Sequence, residues 1–137
     1  KDVKKMYNLF ISHSWTYNDT YEDLTKLLDN ASYFSYKNYS VPKDDPIHNA
    51  NNDRELYNAI EEQIRHASVV LILAGVYSSY SKWIDKEIEI AQNLNKPILA
   101  IEPWGSEKTS VKVKNSADRI VKWNTASIVN AIREISL

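Results

Sequence analysis

The sequence has no cysteine among its 137 residues, which excludes disulfides, thiolate metal sites, iron–sulfur ligation and a cysteine nucleophile. Glycine is nearly as scarce, with two residues. No G-x-G-x-x-G or G-x-x-x-x-G-K-[S/T] run occurs, so a glycine-rich phosphate loop is excluded as well. Charge of one sign is also missing. Seventeen Lys+Arg against 18 Asp+Glu leave a net charge of −1, which offers no electrostatic footprint for nucleic acid or an anionic membrane. The longest apolar run, Val69–Ala74, is far short of the ~20 residues a membrane span needs. The opening KDVKKMYN has no apolar signal region, and a cytoplasmic location is the expectation. With 43% hydrophobic and 26% charged residues, the chain has the composition of a single domain, residues 1–137, with a real core.

Apolar runs and amphipathic stretches alternate along the chain. Tyr7–Ile11 reads as a strand, and Asp19–Ala31 as a helix with Tyr21, Leu24, Leu28 and Ala31 on one face. A second extended segment is expected at Tyr33–Tyr36, with Tyr39–Val41 as a possible extension, rich in aromatic and β-branched residues. The polar stretch Pro42–Asn52 has two prolines and no helical period. A connection that long in a compact domain is usually functional or disordered. A helix follows from Asp53 to about His66, with Leu56, Ile60 and Ile64 inward. Val69–Ala74 then reads as a strand buried on both faces of a parallel sheet. Ser81–Asn95 is a third helix, Pro97–Ile101 a strand, Glu102–Asp118 a second long loop, Arg119–Lys122 a short strand and Thr125–Ser136 a closing helix.

Such alternation implies an α/β fold: a doubly wound, flavodoxin-like sheet of five parallel strands in the order 2-1-3-4-5. Its topological switch point lies between strands 1 and 3, and ligands bind there at the carboxyl ends. The segments leaving those ends are Ser12–Tyr17 and Gly75–Lys82, so any site is expected between them. A phosphate-accepting receiver would need acidic residues after strand 1 and an Asp ending strand 3, where this chain has Ser12-His13-Ser14 and Ala74-Gly75.

One carboxylate stands out. Plotted at ~100° per residue from Ile84, Ile88 falls near ~40°, Ala91 near ~−20°, Leu94 near ~−80° and Trp83 near ~−100°. Glu87 falls near ~−60°, inside that apolar stripe, while Asp85, Lys86, Glu89, Gln92 and Asn93 face the other way. A carboxylate so placed loses hydration or has a specific partner. The plainer reading is a helix-start carboxylate favoured by the macrodipole, or one bonded to nearby backbone. The functional reading is a charge aimed into the crevice, with Trp83 one turn away on the same face and Trp15 and Tyr77 at its mouth. Such an aromatic platform suits a flat nitrogenous ring. The pair Ser12 and His13 makes no hydrolase elbow, since G-x-S-x-G is absent. His13, His48 and His66 lack metal-ligand spacing and are expected as plain surface or loop residues.

Taken together, LFISHSW (Leu9–Trp15), AIEEQI (Ala59–Ile64), VVLILAGVYSSYSKWIDKEI (Val69–Ile88) and KPILAIEPWG (Lys96–Gly105) resemble a TIR domain. The nearest branch is the bacterial TIR-like group that includes the TIR proteins of Thoeris anti-phage defence. The most specific part is W-x-x-x-E at the start of the helix after strand 3, here Trp83 and Glu87. The resemblance implies an NAD+-cleaving enzyme with Glu87 catalytic. Ser12, His13, Ser14, Trp15, Tyr77, Ser81 and Trp83 are the expected substrate contacts, and the Val41–Asn52 loop shapes the entrance. NAD+ enters as substrate, with no resident cofactor and no metal. The product is an ADP-ribose-derived signalling nucleotide that acts on a separate effector protein, with self-association and a phage-derived trigger also implied. Two other readings stand beside it: a non-catalytic TIR scaffold, and a nucleoside ribosyl or deoxyribosyl transferase.

Overall fold

The computed structural model describes residues 5–12, 18–39, 53–73, 81–102 and 111–137, of which the side chains of 18–21, 53, 56, 81–83 and 111 are outside the description. The elements run β1 (Met6–Ser12), α1 (Asn18–Asp29), β2 (Ser35–Asn38), α2 (Asp53–Arg65), β3 (Val69–Leu73), α3 (Ser81–Asn93), β4 (Ile98–Glu102), α4 (Val111–Ser116), β5 (Arg119–Lys122) and α5 (Thr125–Ile135). All strand pairs are parallel, in the order β2-β1-β3-β4-β5, as the alternation of patterns requires.

The three central strands are buried throughout, except at the amino end of β1, because helices cover both faces. Helices α2, α3 and α4 pack side by side, while α1 contacts α5. The two faces can be told apart by register, since neighbouring residues in a parallel sheet point the same way. Leu9, Val69 and Leu71 line up on the α1/α5 side, where Arg119 reaches Glu134 of α5 at 2.8 Å. Ser12, Ile72, Ala100 and Ile120 form one row on the opposite side. The expected inward faces of the helices are buried: Leu24 and Leu28 of α1, Ile60 and Ile64 of α2, and Ile84, Ile88 and Ala91 of α3. Ile90 of α3 is buried too, so the apolar stripe is broader than the wheel suggested.

Several boundaries differ from the sequence reading. The second strand begins at Ser35, and Tyr33 precedes it with φ 58, its side chain 99% exposed. A left-handed non-glycine residue costs ~1–2 kcal/mol. Here Arg133 of α5 donates to the Tyr33 carbonyl at 2.7 Å, and the chain must turn so that Phe34 can stack on Tyr7 at 5.3 Å. The expected loop Glu102–Asp118 contains α4, whose six residues are too few to display a helical period; among its described side chains Val113 is buried. Glu102 itself closes β4, and Ser12 closes β1 instead of opening the following loop. No helix among the described residues is long and apolar enough to cross a membrane.

Among the described residues, the buried apolar side chains of α3 are Ile84, Ile88, Ile90 and Ala91. Ile88→Ala leaves a cavity under that helix and should lower stability by about 2–5 kcal/mol. Urea denaturation measures this, and a loss below half a kcal/mol would mean that α3 repacks freely.

Candidate active site

Among the described residues the core is apolar with three exceptions: Ser12, Glu87 and Glu102 are the buried polar or charged side chains. All three lie at the carboxyl edge of the sheet or on the helix that follows it. Ser12 ends β1 with 1% exposure. Glu87 lies in the second turn of α3, after the all-buried β3. Glu102 ends β4, two residues beyond Ala100, and so shares the face of Ser12. Topology brings them together: a right-handed crossover starts each helix at the carboxyl edge, beside the strand it leaves.

The Glu87 carboxyl group is almost wholly withdrawn from water, and its Oε1 accepts no hydrogen bond among the described residues. Burial pushes its pKa up from 4.5 to about 8, against a smaller downward pull from the neighbouring Ser12 side chain. Unliganded at neutral pH, Glu87 is therefore mostly a neutral acid. An orphaned buried acceptor costs free energy, and such groups are uncommon unless a ligand completes them. The macrodipole reading of Glu87 does not account for this, because a helix-start carboxylate is favoured as an anion. Glu102 differs, since Lys122 Nζ donates to its Oε1 at 2.8 Å.

Of the other expected contacts, Ser81 and Trp83 fall in the first turn of α3, with side chains outside the description. His13, Ser14, Trp15, Tyr77, His48 and the Pro42–Asn52 loop lie outside the described residues. His66 is an exposed side chain beside Glu62 at 3.2 Å. No group of three His, Asp or Glu among the described residues is placed to hold a metal ion. The sequence reading missed Glu102 as a site candidate. The apolar run PILAI just before it was the available signal, because a strand that long carries its next residue into the sheet. A separate groove of about 540 Å³, lined by residues including Gln92, Asn95, Lys96, Ser116 and Asp118, opens at the opposite pole. It has no buried unpartnered polar atom and sits at the amino ends of the strands, where this topology does not collect ligands.

Residues 10–108 match the family described as Thoeris protein ThsB, TIR-like domain. The chain belongs to that family. Among curated proteins none matches the sequence. The fold of this ThsB-type TIR-like domain is shared by solved structures of low identity. The Clostridium botulinum CMP N-glycosidase BcmB aligns at 12% identity over 92% of this chain and 98% of that one, with a TM-score of 0.53. A conserved protein from Enterococcus faecalis V583 aligns at 10% identity over 95% and 99%, with a TM-score of 0.58. Membership in the ThsB family places the TIR-like domain in the setting of Thoeris antiviral defence.

The raised pKa of Glu87 has a stability consequence of definite sign. Below pH 4.5 the group is protonated both folded and unfolded, and its favourable contribution is fully present. As pH rises toward about 8 the unfolded chain ionises while the folded one stays neutral, so the fold loses stability across that window. Glu87→Gln removes this loss. Its melting temperature relative to the parent should climb between pH 5 and pH 8, by roughly 5 °C or more. Glu89→Gln, on the exposed face, should show no such trend. A pH-independent difference for Glu87→Gln would mean that the carboxyl is solvated.

Proposed function

We propose that the protein cleaves the nicotinamide–ribose bond of NAD+, with Glu87 as the catalytic carboxylate, and releases an ADP-ribose-derived signal. The observation that carries this reading is the buried Glu87 with its unpartnered Oε1 at the switch point of a ThsB-type TIR-like fold. Heterolysis sends the bonding electron pair to the pyridinium nitrogen, so nicotinamide departs neutral and the ribosyl centre becomes oxocarbenium-like. A leaving group that is already cationic needs no general acid. The one requirement is a negative charge beside the developing cation, held where water cannot screen it. The resting carboxyl is neutral, and the substrate's own positive charge favours its ionisation on binding. Trp83, one turn before Glu87, is proposed to hold a flat ring. Water or a hydroxyl of the nucleotide then captures the ribosyl centre, and the product acts on a separate effector.

A second reading draws on the same carboxyl. A buried, protonated Glu87 is also poised to donate a proton to a neutral base, which is what hydrolysis of a nucleotide such as CMP requires, and the fold is shared with a CMP N-glycosidase. The pH profile separates the two. With NAD+, kcat/KM should rise with pH and level off above about 8, because the carboxylate is the active form. With CMP it should fall through the same range, because the acid is the active form.

Product analysis by mass spectrometry over pH 5–9 makes the test, with Glu87→Gln beside the parent. The variant should lose at least about a hundredfold in NAD+ turnover. Near-parental turnover would overturn the catalytic role and favour a scaffold. Trp83→Ala should weaken substrate use by about 1–3 kcal/mol with little change in melting temperature, and Trp83→Phe should recover part of it. Equal losses in stability and activity would assign Trp83 to the core.

A further inference from the structure

Glu102 and Lys122 form a pair that the chemistry at Glu87 does not use. Glu102 ends β4 with its side chain 3% exposed, and Lys122 ends β5, registered beside it, with its side chain 68% exposed. Their contact is 2.8 Å. Both lie on the face of Ser12, one and two strand spacings beyond β3, or about 5 and 10 Å along the carboxyl edge. A half-buried ion pair is poor at stabilising a fold, since an apolar residue at position 102 would avoid the desolvation cost. What the pair does provide is orientation. The buried carboxylate accepts one N–H of the ammonium and fixes the cation at the edge, and the exposed ammonium keeps its other donors toward solvent.

We infer that Lys122, held by Glu102, is a specificity residue that takes the phosphate groups of a nucleotide whose ribosyl bond lies at Glu87. This rests on the reading of the Glu87 crevice as a nucleotide site and goes beyond it by assigning the ligand's anionic half to the β4–β5 end of the edge. The 5′-phosphates of a nucleotide leave the sugar on the side away from the base, so a ligand lying along the edge with its base toward β1 carries its charge toward β5. Lysine serves there as a compact point charge. The sequence carries no glycine-rich phosphate loop.

The test compares two probes by calorimetry. ADP-ribose carries the diphosphate, and nicotinamide riboside has the same scissile bond and no phosphate. Lys122→Gln should weaken ADP-ribose binding by about tenfold and leave nicotinamide riboside binding unchanged. Removing Lys122 alone strips a cation from the buried Glu102, so the double variant Glu102→Gln/Lys122→Gln, which removes both charges, is measured beside it and should show the same selective loss. Equal ADP-ribose affinity in the parent and in both variants overturns the inference. So does a loss for both probes that tracks a fall in melting temperature, which would make the pair a structural pin. If the parent binds neither probe, the nucleotide reading of the crevice fails and takes this inference with it. If the parent binds and cleaves while the variants match it, this inference alone fails.

Discussion

Burying the Glu87 carboxyl group with no counter-charge among the described residues is the constraint around which the site is arranged. Helix α3 could pack as well with an apolar residue there, because Ile84, Ile88, Ile90 and Ala91 already cover the sheet. The carboxyl instead stays in the interior as a neutral acid, pushed up to about 8, with one oxygen unpartnered. A fold retains such a group at a cost in stability. Among the described residues the departures from an apolar core are Ser12, Glu87 and Glu102, and all three gather at one edge of the sheet.

The sheet sets that edge. Parallel pairing and right-handed crossovers put every helix N-terminus at the carboxyl ends of the strands, and the order β2-β1-β3-β4-β5 opens the crevice between β1 and β3. The amino pole is tied separately. Asp118 accepts from the Ile98 amide at 2.8 Å, Asp118 N donates to the Ile98 carbonyl at 2.8 Å, and Arg133 holds the left-handed turn at Tyr33. Those fastenings leave the carboxyl edge as the end of the molecule where polar groups collect.

The same environment leaves the direction of proton flow to the ligand. A buried carboxyl that is neutral at rest supplies a charge when a cation arrives and a proton when a neutral base does. The two proposed reactions both take place at a ribosyl carbon. The alternatives there differ in the charge of the leaving base.

Local pattern alone determined the class of fold, the strand order and the place of Glu87. Continuous apolar runs such as VVLIL mark strands covered on both faces, and a carboxylate inside a helical stripe is visible from spacing alone. Short elements were not legible in the same way. Helix α4 has too few residues to show a period, and β2 slid past Tyr33 because a turn fixed by Arg133, a hundred residues away, outweighed the strand preference of an aromatic residue. The Glu102–Lys122 pair was hidden for a related reason. Its partners are twenty residues apart, and only the β4–β5 register makes them neighbours. The sequence says that a carboxylate lies in an apolar stripe. Whether that carboxylate meets water, a cation or nothing is decided by tertiary packing, because burial and pairing are properties of the space around a group and not of its place in the chain.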